Sequence, residues 1–328
     1  ATFLHRGTFS TNTGSLKVNS GSASFQGSVL IASPASVLVR NHMDVDGSLT
    51  LTGGALTVQT GNIDVKDTFS LSDGTGVTIH GTTSAAYVVI QSSAFLTCNG
   101  RVSVDQLINI VSGTLTLNGG AACRDVTIAA GALMNMNGAI TTSADITVHG
   151  TMTHAATNDA ARAIHLNVAG RVFVASTGII HGNRLGTIQR VCPAYPSQRR
   201  SCMRGSYGGN AHSDTYMNPS YGSFTNPTDM GTRSNADYLN GYFTDNSGSI
   251  VDITAASLQL DGKIEARGFR SGSGGTVNIK ITGNGTVLGD GYISVDVIFY
   301  DHSSATAGGG RASIVGYSRI DQTILDHV

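Results

Sequence analysis

Five aspartates, Asp252, Asp261, Asp290, Asp296 and Asp301, with Arg267 and Arg270 among them, are the densest set of acid–base groups in the chain. Two carboxylates about 5 to 9.5 Å apart can hydrolyse a glycosidic bond. An acidic calcium site beside a basic residue can serve polysaccharide elimination. Asp261-Gly262 and Asp290-Gly291, however, are corner-turn dipeptides, and the turn reading is the stronger one. Asp44-Val-Asp46-Gly47 opens like a calcium loop, but the later ligands and closing glutamate do not follow, so it too reads as a turn. His149, His154 and His165 lack metal-ligand spacing, while His80 and His149 occupy the corner slot held elsewhere by Asn99 and Asn118. There is no Gly-x-Ser-x-Gly elbow, Walker-type loop or His-Glu-x-x-His. The expectation is a protein with no catalytic residues, no cofactor and no bound metal.

Recognition has a better candidate. Six of the ten Tyr and four of the five Pro lie within residues 183–247, where apolar alternation vanishes. Tyr195 and Tyr207 could stack on sugar rings, and the planar guanidinium groups of Arg199 and Arg200 could hold an acidic glycan or a neighbouring subunit. The alternative is a segment that covers one flank of the fold. Cys192 and Cys202 bracket the stretch CPAYPSQRRSC and read as a disulfide, which implies an oxidising compartment. Cys98 and Cys123 either bridge neighbouring turns or are two small buried hydrophobes. Asn284, in Asn-Gly-Thr, is the one sequon not blocked by Pro, so at most one N-glycan is expected.

The elements that would position these groups follow from an internal repeat. Val77-Thr-Ile79-His-Gly81, Leu96-Thr-Cys98-Asn-Gly100, Leu115-Thr-Leu117-Asn-Gly119 and Met134-Asn-Met136-Asn-Gly138 recur every 19 residues. Alternation with period two sends Leu115 and Leu117 to one face and Thr114 and Thr116 to the other. The following Asn-Gly or His-Gly reads as a corner at positive φ. Strands this short, without intervening helices, cannot make strand–helix–strand crossovers. A coil stacks like on like, which accounts for the preserved register. The expected fold is all-β, a right-handed parallel β-helix with a long irregular loop excursion. Residues 1–20 form an N-terminal arm or first coil, 21–182 a β-solenoid of about 19-residue coils, 183–247 the excursion, and 248–328 a longer, Gly-rich continuation. Residues 154–164 read as a loop or short helix leaving one turn.

Composition narrows the partners. Only 12% of residues are charged, 42 are Gly and the net charge is -1, so no Lys/Arg block stands ready for nucleic acid. No apolar run approaches the ~18 residues of a membrane span. A hydroxyl- and amide-rich surface with few Lys suits a secreted or cell-wall protein.

The C-terminal third resembles the glycine-rich β-solenoid modules of very large cell-surface and secreted proteins. The resemblance rests on Gly205-Ser-Tyr-Gly-Gly-Asn, Tyr221-Gly-Ser-Phe-Thr-Asn-Pro-Thr228, Gly262-Lys-Ile-Glu-Ala-Arg-Gly268, Gly272-Ser-Gly-Gly-Thr-Val277 and Gly308-Gly-Gly-Arg-Ala-Ser-Ile314, in that order. After Thr228 the chain departs from the pattern, with Met230-Gly-Thr-Arg-Ser-Asn in place of a Gly run. The resemblance implies a scaffold or adhesin-like role and carries over no catalytic residue. Taken together, the expectation is a non-enzymatic extracellular structural protein, a subunit or segment of a fibre, sheath or surface appendage that polymerises through its solenoid ends. A glycan-binding adhesin and a polysaccharide lyase or hydrolase are the alternatives.

Overall fold

The structure is a computed structural model that describes residues 2–19, 21–186, 207, 211–212, 217–218, 222–223, 225–232, 246–269, 272–298 and 308–325. It is a parallel β-solenoid, and the chain divides into two compact units: residues 1–152 with 168–170, and residues 153–167 with 171–328.

In the middle of the first unit each coil contributes one long, kinked strand to one wall and one short strand to another, while earlier coils split the long strand in two, as in Ser22–Gln26 and Val29–Ala32. Thr83–Ile90, Val102–Ile110 and Ala121–Ile128 form three successive rungs of the first wall. Gly76–Ile79, Ala94–Cys98, Gly113–Leu117 and Leu133–Met136 stack in the second. The register is that of the repeat: Val77, Leu96, Leu115 and Met134 form one column, and Ile79, Cys98, Leu117 and Met136 the next. All eight are buried, while Thr114 and Thr116 face outward, as the alternation requires. The 19-residue spacing holds from Ile79 to Met136; earlier, 21, 19 and 21 residues separate Val18, Val39, Val58 and Ile79.

The corners are held by side chains as well as backbone. Asn137 Nδ2 donates to Asn118 Oδ1 and Asn118 Nδ2 to Asn99 Oδ1, both at 2.7 Å, and Asn99 Nδ2 lies 3.0 Å from His80 Nδ1. The glycine after each asparagine has a different role from the one expected. Gly81, Gly100, Gly119 and Gly138 do not adopt positive φ. They are glycines because successive corners touch: a Cβ on Gly100 would overlap the carbonyl of Gly81, and one on Gly119 the carbonyl of Gly100.

Cys98 and Cys123 are both free and buried, which overturns the bridge between neighbouring turns. They belong to different walls. Cys98 sits between Ile79 and Leu117, and Cys123 between Val104 and Thr142, so each is locked in its own column. Burial pushes both thiols up to about 12, reinforced at Cys123 by Asp125 and opposed at Cys98 by a contact from the Thr83 hydroxyl, so neither offers a thiolate near neutrality. Both act as small apolar fillers.

The second unit uses longer coils. Ile253, Ile279 and Ile314 stack although 26 and 35 residues separate them, and Ile180, Ile264 and Ile293 form a column on another wall. Within residues 154–164 the chain forms a short 3-10 turn, Ala160–Arg162, whose start is capped by Asp159 Oδ1 accepting from Ala161 N at 3.0 Å. A one-turn helix, Gln322–Leu325, follows the last strand, and Ile324 is buried.

Three substitutions separate these contributions. Leu117→Ala should cost about 2–5 kcal/mol by opening a cavity in a column. Gly100→Ala should cost about 1–3 kcal/mol by forcing two corners apart. Thr116→Ala should stay within about 0.5 kcal/mol. Urea midpoints at constant m-value would measure all three, and a harmless Gly100→Ala would disprove the close-approach account.

Candidate functional site

Strand Lys263–Glu265 is followed by Arg267, and the next coil places Tyr292–Ser294 directly beside it, with Lys263 opposite Tyr292 and Glu265 opposite Ser294. Ile264 and Ile293 are buried, and beside this strand pair lies an open groove of about 450 Å³ with both polar and apolar lining. Its walls include Arg267, Tyr292, Ser294, Asp296 and Gly309.

Arg267 grips Asp296 with two parallel bonds, Nε to Oδ1 at 2.5 Å and a terminal nitrogen to Oδ2 at 3.0 Å. Ser294 Oγ donates to Asp296 Oδ1 at 2.5 Å. Burial alone would raise the Asp296 pKa, but the guanidinium and hydroxyl outweigh it and hold the carboxyl below its ordinary value. The Arg267 pKa is raised, first by its bond to Asp296. Behind this pair, Glu265 is buried and accepts from Tyr292 Oη at 2.8 Å and Asn183 Nδ2 at 2.5 Å, while Asn183 Oδ1 accepts from Arg267 N at 2.8 Å. Arg184 lies over the Phe269 ring, 3.6 Å from its centroid. The result is a hydrogen-bonded wall in which Arg267 and Asp296 neutralise each other. Asp296 is ionised with both oxygens engaged, so it has no proton to donate.

The remaining acidic residues serve separate partners. Asp252 accepts from Asn278 at 3.0 Å and faces His165 Nδ1 at 3.3 Å, and Asp261 accepts from Gln259 at 3.1 Å. Asp290 is exposed in a turn. Asp301 and Arg270 lie outside the described residues, as do Tyr195, Arg199, Arg200 and the pair Cys192 and Cys202. Asn284 is exposed in a turn at φ 62, where an acceptor asparagine is reachable.

Tyr207, expected among the recognition residues, is buried instead. Its hydroxyl bonds Thr276 Oγ1 at 2.8 Å, Thr276 Oγ1 in turn donates to Asp229 O at 2.6 Å, and the Arg311 guanidinium lies 5.2 Å from its ring centroid. Arg311 also donates to Gly222 O at 2.5 Å. Burial raises the Tyr207 pKa. A ring enclosed in this way pins chain against the coils Thr276–Ile281 and Arg311–Val315 and has no face for a sugar.

Sequence reading found no metal-ligand spacing in His154 and His165 and did not foresee their grouping with His181. His154 is 3% exposed, and its Nδ1–H donates to Ala155 O at 2.6 Å. Its Nε2 and Ser249 Oγ are both buried without a hydrogen-bond partner among the described residues, and His154 Nε2 and Ser249 Cβ border the space a side chain at Gly182 would fill. Burial pushes His154 down to about 4, against its bond to Ala155 and with help from His181 and His165. His181 is also lowered by burial, opposed by Glu265, whereas His165 is raised, first by Asp252.

No protein-family model, curated protein or solved structure matches the chain.

The depressed His154 pKa sets a stability window. The unfolded chain binds a proton near 6.5 and the folded one only near 4, so stability present above 6.5 is lost as pH falls between these values. The full loss approaches about 3 kcal/mol below pH 4. His165 acts in the opposite sense, contributing stability below its unfolded pKa that disappears as pH rises through its folded one. His154→Gln should therefore flatten the acid limb of a pH series of urea midpoints, and an unchanged limb would sink this assignment.

Proposed function

We propose that this chain is a non-enzymatic structural subunit of an extracellular fibre, sheath or surface appendage, and that it assembles with copies of itself through the open edges of its coils. The observation that carries this reading is the outer edge of strand Thr2–Arg6. It pairs in register with Ser22–Gln26, and among the described residues no strand covers its other side. Phe3 and His5 stand on Ala23 and Phe25, Phe9 on Val29, and Leu16 on Val37. Those four partners are buried, whereas Phe3, His5, Phe9 and Leu16 are only half-buried. Phe3 and Phe9 pack on Phe25 with ring centroids 5.7 and 5.2 Å apart, and Leu4 is 50% exposed. A strand edge with no partner among the described residues, above half-buried apolar rings, is a template for the next strand. A second copy would satisfy the backbone groups and cover the rings in one step.

Several features support an extracellular setting: the sparse charge, the bracketing Cys192 and Cys202, and the resemblance of the C-terminal motifs to glycine-rich modules of secreted proteins. A glycan-binding adhesin is the second reading. It is favoured by the groove at Arg267 and Asp296, where planar polar groups lie beside the Tyr292 ring.

The assembly reading predicts concentration-dependent sedimentation of the wild-type chain and filaments under the electron microscope. The double variant Phe3→Asp, Phe9→Asp should sediment as a monomer with unchanged β-type circular dichroism. A wild-type chain that remains monomeric at high concentration, with no filaments, overturns the proposal.

A further inference from the structure

Strands Met43–Val45 and Ile63–Ser72 are adjacent parallel rungs, and their register places Asp44 directly beside Asp64. Both carboxylates face outward and are half-buried. Like charges directly opposite each other on paired strands repel. Lys66, the nearest cation in sequence, is bonded to Asp46 and acts on Asp44 only through space. What lies between them is an imidazole: His42 Nε2 is 2.8 Å from Asp44 Oδ1 and 3.4 Å from Asp64 Oδ2. Ser84, on the following rung, hydrogen-bonds Asp64 from the far side and orients it.

The three ligand atoms, one nitrogen and two carboxylate oxygens, all lie within 4.8 Å of one another, and among the described residues no other group of three has this geometry. A first-row divalent ion bonds imidazole nitrogen and carboxylate oxygen at about 2.0–2.2 Å. Small side-chain rotations would bring all three donors into that range around one ion. The imidazole separates this set from an all-oxygen calcium site and selects the zinc class of metals. The ion's two positive charges would cancel the two carboxylates, and waters would complete its coordination. A ligating imidazole must be neutral, so protons compete with the metal.

We propose that His42, Asp44 and Asp64 form a binding site for a divalent ion of the zinc class, which clips two successive coils of the first unit together. The inference is independent of the assembly reading.

The test is isothermal titration of zinc chloride into full-length protein dialysed against chelator, with cobalt(II) absorption as a spectroscopic readout of imidazole ligation. One zinc should bind per chain and raise the melting temperature. His42→Ala and Asp64→Asn should each weaken zinc at least about tenfold, while Asp46→Asn, which breaks only the neighbouring ion pair, should bind as wild type does. The altered side chains face outward, so circular dichroism should show each variant folded. Absence of saturable zinc binding, equal binding in all variants, or tighter binding of calcium than of zinc would each overturn the site.

Discussion

Parallel backbone pairing from coil to coil, in strict register, is the constraint on which the rest of this structure depends. It forces each side chain to stand on the equivalent residue of the coil below, which builds apolar columns and hydrogen-bonded ladders. The column Ile79, Cys98, Leu117, Met136 is the first kind and the ladder His80, Asn99, Asn118, Asn137 the second. A one-residue slip would exchange the two faces and expose the core.

The same constraint explains the glycines and the cysteines. Corners that stack at strand spacing bring carbonyl carbons against the next Cα, which leaves no room for a Cβ at Gly100 or Gly119. Columns also keep their members apart laterally. Cys98 and Cys123 therefore remain in separate walls and serve as apolar volume.

Stacking also concentrates charge, and the two units resolve that differently. In the second unit Arg267 meets Asp296 across adjacent coils, and the pair neutralises itself with two hydrogen bonds. In the first unit Asp44 meets Asp64, and only a histidine stands between them. Charges brought together by coiling are either matched within the protein or create demand for a cation. Aromatic residues follow similar logic: Tyr207 is enclosed by its neighbours, whereas Phe3 and Phe9, on the outermost described rung, are only half-buried.

Much of the fold was legible because the signal is local and periodic. Leu115-Thr-Leu117-Asn-Gly119 states its strand, its buried face and its corner within five residues, and its recurrence every 19 residues states the coil. The candidate sites were not legible, since their partners lie one coil apart and coil length varies. Asp44 and Asp64 are separated by 20 residues, Arg267 and Asp296 by 29, and Tyr207 and Thr276 by 69. Composition likewise marked Tyr207 as a surface aromatic, although tertiary packing encloses it. The amino-acid order by itself determined which face of each strand is apolar and that successive turns must stack. Only the folded chain decided which polar groups meet, because a contact between coils depends on the length of every loop between them, and no local pattern records that length.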